Sequence, residues 1–171
     1  MSAMDNIAPE RSPENSEACG PLNARVLVIG IGNLLRKDDW VGIHVIKKLE
    51  EMEIPEGVSL LDGGTAGIDL VSYLEGIDRL IIVDALSAEG NPGEVRILSE
   101  EDIPVGFFLS GHYGRLHDVI GMAAALWKKP ETTVIGIIPA DCESYEIGLS
   151  PEVSPSVDAA VRAILKMVKG L

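Results

Sequence analysis

The chain is poor in aromatic residues, in cysteine and in positive charge. Phe, Trp and Tyr make up 4% of its 171 residues, so Val, Ile, Leu, Ala and Gly must do the packing. Such a composition is usual in α/β domains with buried parallel strands. Only two cysteines occur, Cys19 and Cys142, and neither has a Cys or His at metal-ligand spacing. No disulfide framework is implied, and a reducing compartment is the default. Lys and Arg number 14 against 27 Asp and Glu, giving a formal net charge of −13. Nucleic acid and anionic membranes both require a partner that neutralises phosphate, so neither suits this chain. No apolar run is long enough to span a membrane, and residues 1–24 contain no apolar signal segment. A cytoplasmic protein is expected. HExxH, GxSxG and Walker A motifs are missing too, which removes the commonest zinc-protease, serine-hydrolase and nucleotide-hydrolase signatures.

The length suits one domain with a real core. Residues 1–24 are rich in Pro, Ser, Asn and Glu without periodicity, and read as a disordered tail dispensable for folding. From Arg25 to Leu171 the pattern alternates. Strands are expected at 25–30, 57–62, 79–85, 93–99 and 132–138, and helices at 39–52, 67–76, 112–129 and near the C-terminus. Val41, Val45, Leu49 and Met52 fall at helical spacing. The segment "GEVRILS" alternates like a half-exposed strand after the turn "EGNPG", and should pair antiparallel with the strand before it. The alternation predicts a single α/β domain with a twisted, mostly parallel sheet and helices on both faces. Ligands in such sheets lie at the carboxyl ends of the strands.

Those ends carry carboxylates. "GIGNLLRKDD" leads the first strand into Asp38 and Asp39, the second ends at Asp62 in "DGGTAG", and the third at Asp84 in "VDA". His112 follows in "SGHYG". Each residue has an ordinary explanation alone: Asp38 or Asp39 as the cap of the next helix, Asp62 as a turn residue, His112 as a loop residue. Crowded together, like charges raise one another's pKa unless a cation neutralises them. Oxygen and imidazole donors suit Zn, Mn, Fe or Ni. His44 shares a helical face with Lys48 and Glu51 and reads as solvated. His117 would point about 140° away from His112 on a helix. Cys142 has no base beside it and reads as structural or incidental. A nucleotide site is the rival reading. Gly30 and Gly32 fit a Rossmann fingerprint, with Asp62 as its acid, but Leu35 replaces the third glycine. Asp38 and Asp39 would also stand where pyrophosphate needs positive potential.

"GIGNLLRKDDWVG", "LDGGTAG", "LIIVDA", "SGHYGRLHD" and "GIIPADCESYEIGLSPEV", in that order, resemble the motifs of the hydrogenase maturation endopeptidases. The resemblance spans residues 25–171. It implies a twisted five-stranded sheet between helices. It also implies removal of a C-terminal extension from a [NiFe]-hydrogenase large-subunit precursor after nickel insertion, with the substrate's nickel read by the protease; a monomer is expected. By the same resemblance Asp39, Asp84 and His112 would be the metal ligands, and Asp62, implicated in processing, is the candidate general base. Other divalent metals are expected to bind weakly. The family often has Glu at the position of Asp39 and a small residue at that of Trp40. A nickel metallochaperone and a non-catalytic binding module are the alternative functions.

Overall fold

A computed structural model describes residues 25–103 and 116–169. Within them run β1 (Val26–Ile31), α1 (Val41–Glu50), β2 (Val58–Gly64), β3 (Arg79–Ala85), β4 (Val95–Ser99), α2 (Leu116–Leu126), β5 (Glu131–Ile137) and α3 (Ser156–Val168). Short 3-10 helices occupy Lys37–Trp40, Ile68–Tyr73 and Glu100–Asp102. The strands form one sheet in the order β2-β1-β3-β5-β4, parallel except for β4. The expected residues 1–24 tail and the start of the 112–129 helix, His112 included, lie outside the described residues.

The central strands are apolar throughout because both of their faces are covered. On one face Leu27, Ile29, Leu80, Ile82 and Val134 pack with Leu116 and Ile120 of α2. On the other Val28, Ile81, Val83 and Ile135 pack with Val45 of α1 and Ile164 of α3. Each such buried aliphatic side chain contributes about 1.5–3 kcal/mol of transfer free energy.

β4 departs from its expected pairing. It lies antiparallel against β5, with Ile97 opposite Ile135, and not against β3. β3 pairs with β5 instead, Ile82 opposite Val134. The reason is burial. An apolar strand such as β5 belongs between two neighbours, whereas the half-exposed β4 suits an edge. The connection after β3 crosses the end of β5, where the Leu86 N–H donates to the Ile137 carbonyl and the Gly93 N–H to that of Ile138, both at 2.8 Å.

The first expected helix is also divided. Residues Lys37–Trp40 form a 3-10 turn, and α1 proper ends at Glu50. Val41, Val45 and Leu49 are buried as their spacing predicts, but Met52 lies beyond the helix and is exposed. The 67–76 segment forms a 3-10 helix rather than an α-helix.

Glycines let α1 sit directly on the strand ends. A Cβ added at Gly42 would come closer than 3.0 Å to the carbonyl oxygens of both Ile31 and Val83. One added at Gly30 would meet the Gly42 carbonyl, and one at Gly32 the Asp39 carbonyl. The obstacles are backbone atoms that cannot rotate away. Gly42→Ala should therefore cost about 1–3 kcal/mol or more, despite alanine's better helix propensity. Thermal unfolding should show a midpoint several degrees below that of the parent. An unchanged or raised midpoint would mean that the helix and strands have room to part.

Candidate active site

The turn between β1 and α1 is tied to a distant loop. The Lys37 N–H donates to the Glu146 carbonyl at 2.9 Å, and the Asp38 N–H to the Asp141 carbonyl at 3.1 Å. The Asp38 side chain, fully buried, extends that seam. Its Oδ2 accepts the N–H groups of Ala140 (3.0 Å) and Asp141 (2.9 Å), and its Oδ1 accepts that of Ser150 (2.6 Å). Neither Asp38 nor Asp39 caps α1, which has no side-chain cap. Asp38 spends its acceptors on the 140–150 loop, and Asp39 Oδ2 accepts the Asn33 N–H at 3.0 Å.

Asp84 ends the apolar run of β3 and is fully buried. Strand alternation puts it on the face of Leu80 and Ile82, the face covered by α2. Its Oδ1 accepts the Ala85 N–H at 2.8 Å. The Lys37–Trp40 turn packs against β3, so Asp38, Asp39 and Asp84 share the carboxyl edge of the sheet.

Cys142, just past the end of β5, senses their charge. Burial raises its thiol pKa first, the charges of Asp39, Asp38 and Asp84 raise it further, and Arg36 partly opposes them, leaving it at about 12. No base adjoins it in sequence, and its expected role was structural or incidental. Its thiol is half-buried within range of their charges. The available signal was its position just past the end of β5, at the same edge of a parallel sheet. At neutral pH the thiol is protonated and a poor nucleophile.

Asp62 is exposed, and its Oδ1 accepts the Gly64 N–H at 3.0 Å, the geometry of a turn aspartate. The Gly32 N–H donates to the Gly64 carbonyl at 2.9 Å, which joins the Asp62 loop to the glycine turn. Among the described residues no three His, Cys, Asp or Glu side chains are arranged to hold a metal ion, and His112 lies outside them.

His44 is not the solvated residue its helical face suggested. It is half-buried, edge-on to the Trp40 ring with centroids 4.4 Å apart, and its Nε2 is buried without a hydrogen-bond partner. Burial, then the nearby Lys47, lowers its pKa. Lys47 Nζ lies 4.3 Å from the centroid of the same Trp40 ring. Trp40 thus packs along α1. A cavity of about 440 Å³ lined by His44, Lys48 and Asp158 opens nearby, and no carboxylate of the strand ends lines it.

Fold and site together define a class: single-domain α/β proteins presenting buried carboxylates at the carboxyl edge of a mostly parallel sheet. The glycine turn there is filled by the chain's own Asp39 backbone. Residues 43–167 match the family model of the hydrogenase maturation proteases. The chain is 36% identical over 150 residues to the hydrogenase 2 maturation protease of Escherichia coli K12, covering 85% of this chain and 91% of that one. Among solved structures it resembles the hydrogenase maturating endopeptidase HybD of E. coli, with a TM-score of 0.74 and 34% identity over 85% of this chain and 93% of that one. The [NiFe] hydrogenase maturation protease HybD of Thermococcus kodakarensis gives 0.70 and 32%, over 85% and 99%. The chain belongs to the hydrogenase maturation protease family, and it is an endopeptidase.

Proposed function

We propose that this endopeptidase removes the C-terminal extension of a [NiFe]-hydrogenase large-subunit precursor once nickel has been inserted. The substrate's nickel serves as its recognition element. The observation that carries the reading is the burial of Asp39 and Asp84 at one sheet edge, where the Lys37–Trp40 turn packs against β3. Crowded buried carboxylates gain most from a cation brought to them. His112 supplies the third ligand, a nitrogen donor beside two oxygens, a set that nickel accepts. The remaining coordination positions belong to the substrate's own donors, so metal without precursor binds weakly.

Asp62 is the general base in this reading, as an exposed carboxylate that water can reach. The enzyme works as a monomer in the cytoplasm, where precursor assembly precedes tail removal. Incubating it with nickel-loaded and nickel-free precursor tests the scheme. The loaded form should be cut and the nickel-free form left intact. Equal cleavage of both would remove nickel from the recognition step. Tight nickel binding by the protein alone, without cleavage, would favour a metallochaperone.

A further inference from the structure

Large exposed apolar side chains concentrate around the carboxylate edge. Leu34 and Leu35 stand on the turn after β1, 42% and 55% exposed, and Tyr145 and Ile147 on the loop after β5, 84% and 68% exposed. Ile68, 43% exposed, follows the Asp62 loop. An aromatic ring and branched aliphatic chains left in water are costly unless something covers them.

The two principal loops are built as one platform. The Lys37 N–H donates to the Glu146 carbonyl at 2.9 Å, and Lys37 Nζ pairs with Glu146 Oε2 at 3.1 Å. The Asp38 side chain fastens Ala140, Asp141 and Ser150 from below. Asp141 Oδ1 then holds the N–H groups of Glu143 (2.9 Å) and Ser144 (3.0 Å). On the other side the Leu35 N–H is held by Asn33 Oδ1 at 3.0 Å. These side chains are displayed on ordered backbone, which reduces the entropy lost on docking.

We infer that Leu34, Leu35, Tyr145 and Ile147 form the surface on which the large-subunit precursor docks, around the edge where Asp39 and Asp84 read its metal. The inference rests on the function proposed above and adds where the folded body of the substrate is gripped. Continuity supports that occupant, because the same two loops carry Asp39 and Cys142. Charge supports it as well. Asp62, Glu143 and Glu146 are exposed around the apolar side chains, in a chain of net charge −13. The complementary partner is a protein face that is apolar and carries a cationic centre, as a nickel-loaded precursor does. A second copy of this chain would bring like charge to like.

The test is the triple variant Leu35→Ser, Tyr145→Ser, Ile147→Ser in the full chain, with Leu35→Ser and Ile147→Ser alone as milder versions. Ile97→Ser with Leu126→Ser, exposed apolar residues on β4 and α2, is the control. Binding to immobilised nickel-loaded precursor gives Kd, and cleavage of the same precursor gives KM and kcat. The triple variant should raise Kd and KM by at least about tenfold and the single variants by less, with kcat within about threefold. The control should match the parent. If the parent cuts the precursor and the triple and single variants all keep its Kd and KM, the docking surface is overturned and the proposed function stands. If the parent neither binds nor cuts nickel-loaded precursor, the functional reading fails and the docking inference with it.

Discussion

Asp84→Asn lowers the rate of cleavage of nickel-loaded precursor by at least about a hundredfold, a loss of ~3 kcal/mol in transition-state stabilisation. The substitution is nearly isosteric. Its amide oxygen can still accept the Ala85 N–H bonded by Asp84 Oδ1 at 2.8 Å. What disappears is a negative charge at a fully buried position, where a cation would be held most strongly. Thermal unfolding run in parallel separates the two effects: the loss of turnover should far exceed anything a change in midpoint accounts for. Asp39→Asn should act in the same direction, and the double variant should lose less than the sum, because the two carboxylates serve one cation. His112→Ala should remove cleavage in the same assay. Wild-type turnover by Asp84→Asn would refute metal recognition by this edge.

Asp38→Ala has a different signature: stability falls first and most. Three backbone N–H groups, of Ala140, Asp141 and Ser150, lose the carboxylate that accepts them. The buried Ser150 donor left unmet costs about 1–3 kcal/mol, and the part-buried donors of Ala140 and Asp141 cost less, so the joint cost should be ~3–4 kcal/mol. For a chain of this size that lowers the melting midpoint by roughly 10 °C. Amide exchange at those three positions should accelerate more than at β3, whose strand bonds are untouched. Two neighbouring aspartates would thereby separate: Asp38 measured by melting, Asp39 by turnover. A midpoint within about 2 °C of the parent would show that the 140–150 loop is held by something else.

The strands of the sheet were legible because their apolar runs are the direct imprint of burial on both faces. The order of the sheet was less so. The rule that a strand pairs with its predecessor is local, whereas the place of β5 between β3 and β4 is decided by which strand most needs two neighbours. The carboxylate edge was readable from strand ends alone, since a parallel sheet delivers all of them to one side. The role of Asp38 was not, because its acceptors are used by residues 102 to 112 positions later. Helix capping is a local rule and was the only competitor available. The charges around Cys142 were not readable because they come from residues distant in sequence, and His44 was misread as solvated because Trp40, at the end of the turn before α1, shields it.

The bond from the Ser150 N–H to Asp38 Oδ1 has a consequence for biosynthesis. Residue 38 leaves the ribosome well before its last partner, which follows 112 residues later. Until then the nascent polypeptide can form much of its sheet but not the seam that frames Asp39. The edge therefore becomes competent only after Ser150 has been made, and a product stopped before that loop would lack both the seam and α3, which covers one face of the sheet. Proteolytic capacity thus waits on a loop made long after the turn it holds, a built-in delay before a new molecule can commit any precursor to irreversible trimming.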